Sequence, residues 1–528
     1  MTMGEQAVAS GDRAQPAKPW WESRWLLGLV VLGTMVPLLY PPIPPLVDLL
    51  GHMGRFRVEL DLGHSPWLQR YYDFHWAMIG NLGVDILIVP LSKLVGLEGA
   101  VKLITLAIPP LTATGFLWVA REVHGRVPPT AFASLPFIYG FPFLYGFVNY
   151  ALSIGLAFLA FALWLRLGRL EKTRLRAFLF VPIALVIFFC HVYGWALLLL
   201  LCLCAEAAQQ HDAGRSWSRA GVDSAFRCVV MGVPLLVMLI WRNQSHAGST
   251  DHWFDFSAKI QWILSALRDR WKWFDIASVI AALILIVEAR RSHALTFSRT
   301  LVLPALVLSL IFLSLPLVIS GSAYADMRFV PYILALSLLA IGLKDGRPFS
   351  HSGMIAAAAI LFFAIRMASN TASLAMASDQ QQARLRALDV VPRGARVATL
   401  VGEKCGFNWQ SQRGTHIGAM VIVRRDGFSN DQWLIQGINL MSLKYGAARL
   451  FAADPSELVY PKGCRQSMAS WSLEEALSAL PREAFDYLWL IDTPRPDPAA
   501  LSGMQAVWSG SGAILYRIPH HDRSVNRL

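Results

Sequence analysis

The sequence predicts a polytopic α-helical membrane protein of about eleven spans followed by an extracytoplasmic α/β domain. Three observations predict it. Hydrophobic residues make up 55% of the chain and charged ones only 16%, with a mean hydropathy of +0.45, whereas a soluble chain of this size needs more charge to coat its surface. Lys and Arg fall in short clusters between apolar runs, the way topology is written in a membrane protein. After residue 370 the long apolar runs give way to short alternating, β-branched ones. The net charge of +12 therefore marks loops facing the cytoplasm and not a nucleic-acid surface.

Taken in order, residues 1–24 read as a polar cytoplasmic tail and Trp25 to Tyr40 as a retained signal anchor, because Pro41-Pro42-Ile43-Pro44-Pro45 follows in place of a cleavage site. Further spans are expected near 101–120, 129–145, 147–165, 177–191, 195–209, 228–242, 274–289, 300–318, 329–343 and 353–369. Alternate loops hold Arg121 with Arg126, the Arg166 to Arg176 cluster, Arg215 to Arg227, Arg290 to Arg299 and Lys344 with Arg347, while the opposite loops at 146–150 and 191–194 have no Lys or Arg. That asymmetry holds only if 78–96 lies on the membrane surface within a long first external loop, 41–100. The transmembrane domain is then 25–370 in a plasma (inner) membrane, and 371–528 is outside the cytoplasm. In that outer domain strands are expected at 395–401, 487–491 and 513–517 and helices near 376–390 and 472–480. An oxidising compartment would let Cys405 and Cys464 form a disulfide, with two free thiols as the alternative.

The predicted spans carry few ionisable groups, which disfavours a midplane ion-coupled transport site and directs attention to the outer ends. If the segment after Pro45 is helical, Asp48, His52 and Arg55 share one face at i, i+4 and i+7. A base, a hydrogen-bonding imidazole and an anion contact would then converge; the alternative is that Asp48 only caps the helix. Two ligands do not make a metal site, so a divalent metal stays open and no other cofactor is called for. Asp73 and His75 sit among Arg70, Tyr71, Tyr72, Phe74 and Trp76, a cluster able to meet a sugar or to anchor the loop at the headgroups. Asn149, Tyr150 and His191 mark outer ends of later spans. The loop 243–273, with Trp253, Trp262, Lys259 and Arg268, reads as interfacial. In the last outer loop Arg328 could meet a phosphate, or pair with Asp326.

This layout resembles the GT-C superfamily of membrane glycosyltransferases, which includes protein mannosyltransferases and lipid A aminoarabinose transferases. The resemblance rests on Asp48 in the first outer loop, the 78–96 segment, Arg328 in a late outer loop, the Asn149-Tyr150 span start and the C-terminal outer domain. Leu49 follows Asp48 where the mannosyltransferases have an adjacent acidic pair, so their acceptor does not carry over. The resemblance implies sugar transfer, with inversion, from a polyprenyl-phosphate donor to a glycan, lipid or protein acceptor. Asp48 would be the base and Arg328 or Arg55 the cation at the phosphate, with His52, Asp73, His75, Asn149, Tyr150, His191 and Asp326 around the substrate. A transporter or flippase, and a noncatalytic envelope assembly protein, are the alternatives.

Overall fold

The computed structural model describes residues 18–242, 250–319, 321, 323–344, 351–434, 439–464 and 471–520; most of the 1–24 tail lies outside them. Among the described residues, five helices are long and apolar enough to cross a membrane: Gly83–His124, Val148–Arg169, Thr173–Cys190, Val192–Asp212 and the run Ser352–Val390. Trp217–Gly232 with Pro234–Ile240, bent by 58°, makes a sixth if the pair is one span, and Arg24–Gly33, Arg299–Ser314 and Met327–Leu339 are shorter apolar helices.

The eleven expected spans are therefore not eleven regular helices, and proline and glycine explain the main departures. The stretch expected as a span at 129–145 is a 3-10 helix, Pro129–Tyr139, and a short α-helix, Phe141–Tyr145. Pro129 and Pro142 sit in the first turns of these two short helices and Pro136 inside the first of them, where it removes a backbone donor and crowds the preceding turn, which disfavours one regular α-helix through the stretch. All of Pro129–Leu144 is buried. The segment 78–96 and the span after it form one run, Gly83–His124, broken at Gly96, whose φ of 74° and ψ of 168° are not helical. At the other end the 370/371 domain boundary falls inside a continuous helix, Ser352–Leu385. The last span thus extends into the C-terminal domain as a rigid strut.

That domain carries a seven-stranded mixed sheet. Strand Arg396–Gly402 pairs in parallel with Tyr487–Ile491 on one side and with Leu458–Tyr460 and Phe428–Ser429 on the other. Ala513–Arg517 adds antiparallel to Tyr487–Ile491, and Gln505–Gly510 antiparallel to Ala513–Arg517. The central strand Tyr487–Ile491 is buried at every residue, as a strand covered on both faces should be. The expected strands and the 472–480 helix, observed as Leu473–Ala479, are present.

A strand pair and a buried polar network are among the features that join the helical part to the sheet domain. Strand Tyr72–Phe74 of the first loop pairs antiparallel with Met441–Leu443. Deeper in, Arg366 Nη1 lies 2.7 Å from Asp275 Oδ1, both side chains wholly buried. Asp275 Oδ2 also accepts from Trp409 Nε1 at 2.8 Å and from the Asp269 backbone N–H at 2.9 Å. Asp269 in turn accepts from Ser373 at 2.8 Å and is paired with Arg413. Trp409 and Arg413 belong to the C-terminal domain, so the docking surface rests on a buried polar network.

Breaking one side of a buried pair leaves an uncompensated charge. Arg366→Met should lower unfolding stability by about 3–5 kcal/mol, read as an earlier thermal melt in detergent, and Arg366→Met with Asp275→Leu should recover part of it. A single variant melting with the native chain would show that the pair does not hold the domains together.

Candidate functional site

Val47 and Asp48 are positioned just before the first-loop helix begins. Asp48 N–H donates to the Tyr145 carbonyl at 2.8 Å, and the chain approaches so closely that a Cβ on Gly146 would lie 2.7 Å from Asp48 N. Gly146, with φ of 106°, is required on both counts. Asp48 is the N-cap residue of helix Leu49–Asp61, yet its side chain makes no capping hydrogen bond. The capping alternative is thus set aside. The carboxylate, 8% exposed, faces a cavity of about 1720 Å³.

Helix Leu49–Asp61 packs on helix Ala419–Arg425 of the C-terminal domain. The contact depends on two small residues one turn apart. A Cβ on Gly51 would lie 2.6 Å from the Trp433 ring, and one on Gly54 2.7 Å from Gln432 Nε2 and 3.2 Å from Ala419 Cβ. Trp433 consequently sits between His52 and His416, ring centroids 5.0 and 4.4 Å away. His416 Nε2 is 3.7 Å from Asp48 Oδ1.

Cavity walls come from both parts of the molecule. Asp48, His52, Asn149, Tyr150, His191 and Arg328 all line it, together with His416, Asp454, Glu403 and Lys404. Arg328 lies over the Phe147 and Tyr193 rings at 4.2 and 5.2 Å, donates to the Tyr324 and Ala323 carbonyls at 3.2 and 3.3 Å, and reaches His191 Nε2 at 3.5 Å. Arg268 is fixed by the Trp409 and Asn408 carbonyls, both at 2.6 Å. The loop 406–412, which contributes Phe407, Asn408 and Gln410 to the lining, begins at the Cys405–Cys464 disulfide, whose Cα atoms are 5.7 Å apart. A further stretch of wall is aliphatic: Leu235, Met238, Leu239, Ile311 and Leu315. Leu235 and Leu239 are also half or more exposed.

Electrostatics in this space follow from burial. Burial raises the Asp48 carboxyl well above the usual carboxylate range, Asp454 raises it further and Arg328 opposes both. Burial lowers His52 well below the usual imidazole value, with Arg55 adding to the effect. Burial pushes Asp431 up to about 7 and Glu403 up to about 7. Glu403 lines the cavity and Asp431 lies outside the lining, and burial holds both well above the ordinary carboxylate range.

Four of the sequence-predicted residues have other duties. Arg55 borders the cavity, but its guanidinium is held by Asp85 at 2.8 Å, both side chains nearly or wholly buried, so it is not an open anion contact. Asp85 also accepts from Asn149 Nδ2 at 3.0 Å, and Asn149 Oδ1 accepts the Val84 backbone N–H; the three residues together set the angle of the first-loop helices. Asp326 pairs with Lys259 Nζ at 2.5 Å instead of with Arg328, and accepts the Met327 N–H at 2.8 Å. It is outside the cavity lining because it is buried in that pair. Asp73 and His75 form a surface pair at 3.4 Å with side chains 38% and 79% exposed, because strand Tyr72–Phe74 turns them away from the lining. His416, Asp431, Asp454, Glu457, Trp433 and Arg268 were not singled out as site residues. In sequence, Asp454 and Glu457 look like solvated loop acids at i, i+3.

No family model and no curated protein matches the chain. Among solved structures, the crystal structure of ArnT from Cupriavidus metallidurans in the apo state is similar at 14% identity and a TM-score of 0.48, covering 93% of this chain and 97% of that chain.

The Gly51 and Gly54 contacts predict a sharp positional effect. Gly51→Val or Gly54→Val should cost about 1–3 kcal/mol by overpacking and expose Trp433 to a fluorescence quencher, whereas Gly63→Val, with nothing within 4 Å, should do neither. Equal behaviour of all three would mean that the helix seat is not tight.

Proposed function

We propose that this chain is a membrane glycosyltransferase of the GT-C type, transferring a sugar from a polyprenyl-phosphate donor to an acceptor hydroxyl on the outer face of the membrane. One observation carries the reading: a single cavity combines an uncapped buried carboxylate, Asp48, a guanidinium, Arg328, and an aliphatic wall whose Leu235 and Leu239 also reach the outer surface of the helices. An amphiphile with a phosphate matches that combination. The prenyl chain lies along the aliphatic wall, the phosphate meets Arg328 and the sugar faces Asp48.

The chemistry asks little more of the protein. Asp48 takes the proton from the acceptor hydroxyl as its oxygen bonds to the anomeric carbon. The bond from that carbon to the phosphate oxygen breaks, and the lipid phosphate departs with the electron pair, inverting the centre. A phosphate monoester is a good leaving group, so charge stabilisation by Arg328 replaces a general acid. Asn149 and Tyr150 act by holding this geometry: Asn149 binds Asp85, and the Tyr150 hydroxyl donates to the Arg328 carbonyl at 2.5 Å. The outward orientation is supported by the loop charges, which put the 146–150 and 191–194 loops on the side without Lys or Arg.

Asp48→Asn should reduce transfer by about 10²–10⁴-fold in a folded, monodisperse protein, and Arg328→Ala by about 10²–10³-fold. A base must be deprotonated, and burial raises this carboxyl. The rate should therefore climb with pH through a value above the ordinary carboxylate range and fall as pH drops through it. Transfer from a polyprenyl-phosphate sugar by membranes containing each variant measures both. Undiminished turnover by Asp48→Asn, or a rate flat between about pH 5 and 9, would remove Asp48 from the base role.

A further inference from the structure

Beside Asp48 lies a second constellation that sugar transfer does not require. One donor atom from each of His416, Asp454 and Glu457 lies within 4.8 Å of the other two. Glu457 is fully buried, and no donor among the described residues reaches either of its carboxylate oxygens; the polar groups beside it are the Asp454 carboxyl and His416 Nδ1, 4.0 Å from Glu457 Oε1. Glu457 is held there by its backbone, whose carbonyl accepts from Val401 N at 2.7 Å at the start of strand Leu458–Tyr460. His416 Nδ1 lies 3.1 Å from the Asp431 carbonyl oxygen. A carbonyl only accepts, so that nitrogen carries the ring proton and the other presents a lone pair.

The two carboxyls thus face each other with no donor within hydrogen-bond distance of Glu457, while the His416 Nε2 lone pair looks toward Asp48 at 3.7 Å. Buried acceptors facing acceptors are costly unless something cationic lies between them. A neutral imidazole with its second nitrogen bonded to a backbone carbonyl is the arrangement that orients metal-ligating histidines. Asp454 is partly exposed and lines the cavity, which gives an ion a route in.

We propose that His416, Asp454 and Glu457 bind a divalent transition-metal ion, zinc or manganese, with the Asp48 carboxylate at its edge. One imidazole nitrogen with carboxylate oxygens suits these ions better than magnesium or calcium. All three ligands come from the C-terminal domain, whereas Asp48 comes from the first loop. The ion clasps the two parts together and sets the position and charge of the carboxylate at the cavity.

The test uses the full-length protein in detergent, stripped with a chelator and then given zinc or manganese alone. Native chain should take up one ion, measured by elemental mass spectrometry, and its thermal melt should rise with added ion. Glu457→Gln, which keeps the shape of the side chain, and His416→Gln should weaken uptake by about 10–100-fold and lose the ion-dependent rise, while Asp73→Asn should behave as native. Circular dichroism establishes that each variant is folded. Stripped native protein that binds no ion, or a folded Glu457→Gln that binds it as tightly as native, would overturn the site and leave a cluster of shared protons. Metal uptake in a protein that transfers no sugar would leave the site standing and remove only the glycosyltransferase reading.

Discussion

The cavity exists because the C-terminal domain can come within van der Waals distance of the helix that follows Asp48. Gly51 and Gly54 make that approach possible: with any larger side chain, the Trp433 ring and the Gln432 amide would meet a Cβ at 2.6–2.7 Å. From this one constraint the rest follows. Trp433 fits between two imidazoles, His416 reaches Asp48, and the 406–412 loop and Asp454 become walls of a space whose other sides are helical. Neither the helical part nor the sheet domain holds the site alone.

A second regularity is the treatment of buried charge. In a mostly apolar interior an isolated ion is far more costly than a paired one, and the pairs here are doing positional jobs. Arg55 with Asp85 fixes the first loop against the Asn149 helix, Lys259 with Asp326 fixes the turn before Arg328, and Arg366 with Asp275 fixes the strut helix under the C-terminal domain. Asp48 is treated differently. Burial raises its carboxyl while Arg328 counters only in part, the condition of a group held ready to accept a proton.

The sequence made some of this legible. Pro41 to Pro45 ends the first helix, and the i, i+4 spacing put Asp48 and His52 toward the same space; loop charges drew attention to Asn149, Tyr150, His191 and Arg328, all of which line the cavity. The failures have physical causes. An apolar window counts hydrophobicity and not missing N–H groups, so 129–145 was expected as a span despite Pro129, Pro136 and Pro142. Arg55, which does line the cavity, and Asp326 were read without their partners because charge can be read from sequence and its partner cannot: Asp85 and Lys259 are distant in the chain. His416, Asp454 and Glu457 acquire meaning only through sheet topology, when strand Leu458–Tyr460 pairs with Arg396–Gly402 and carries Glu457 inward. Gly51 and Gly54 carried a weak signal, two small residues one turn apart beside a candidate base.

The central claim is that one amphiphile occupies this cavity with its phosphate at Arg328. Cryo-electron microscopy of the full chain in a lipid nanodisc with a saturating polyprenyl phosphate tests it most directly. The account predicts phosphate density against the Arg328 guanidinium, open toward Asp48, with the prenyl chain running along Leu235 and Leu239. A lipid bound with its phosphate elsewhere, or a cavity that stays free of lipid at saturation, would contradict it.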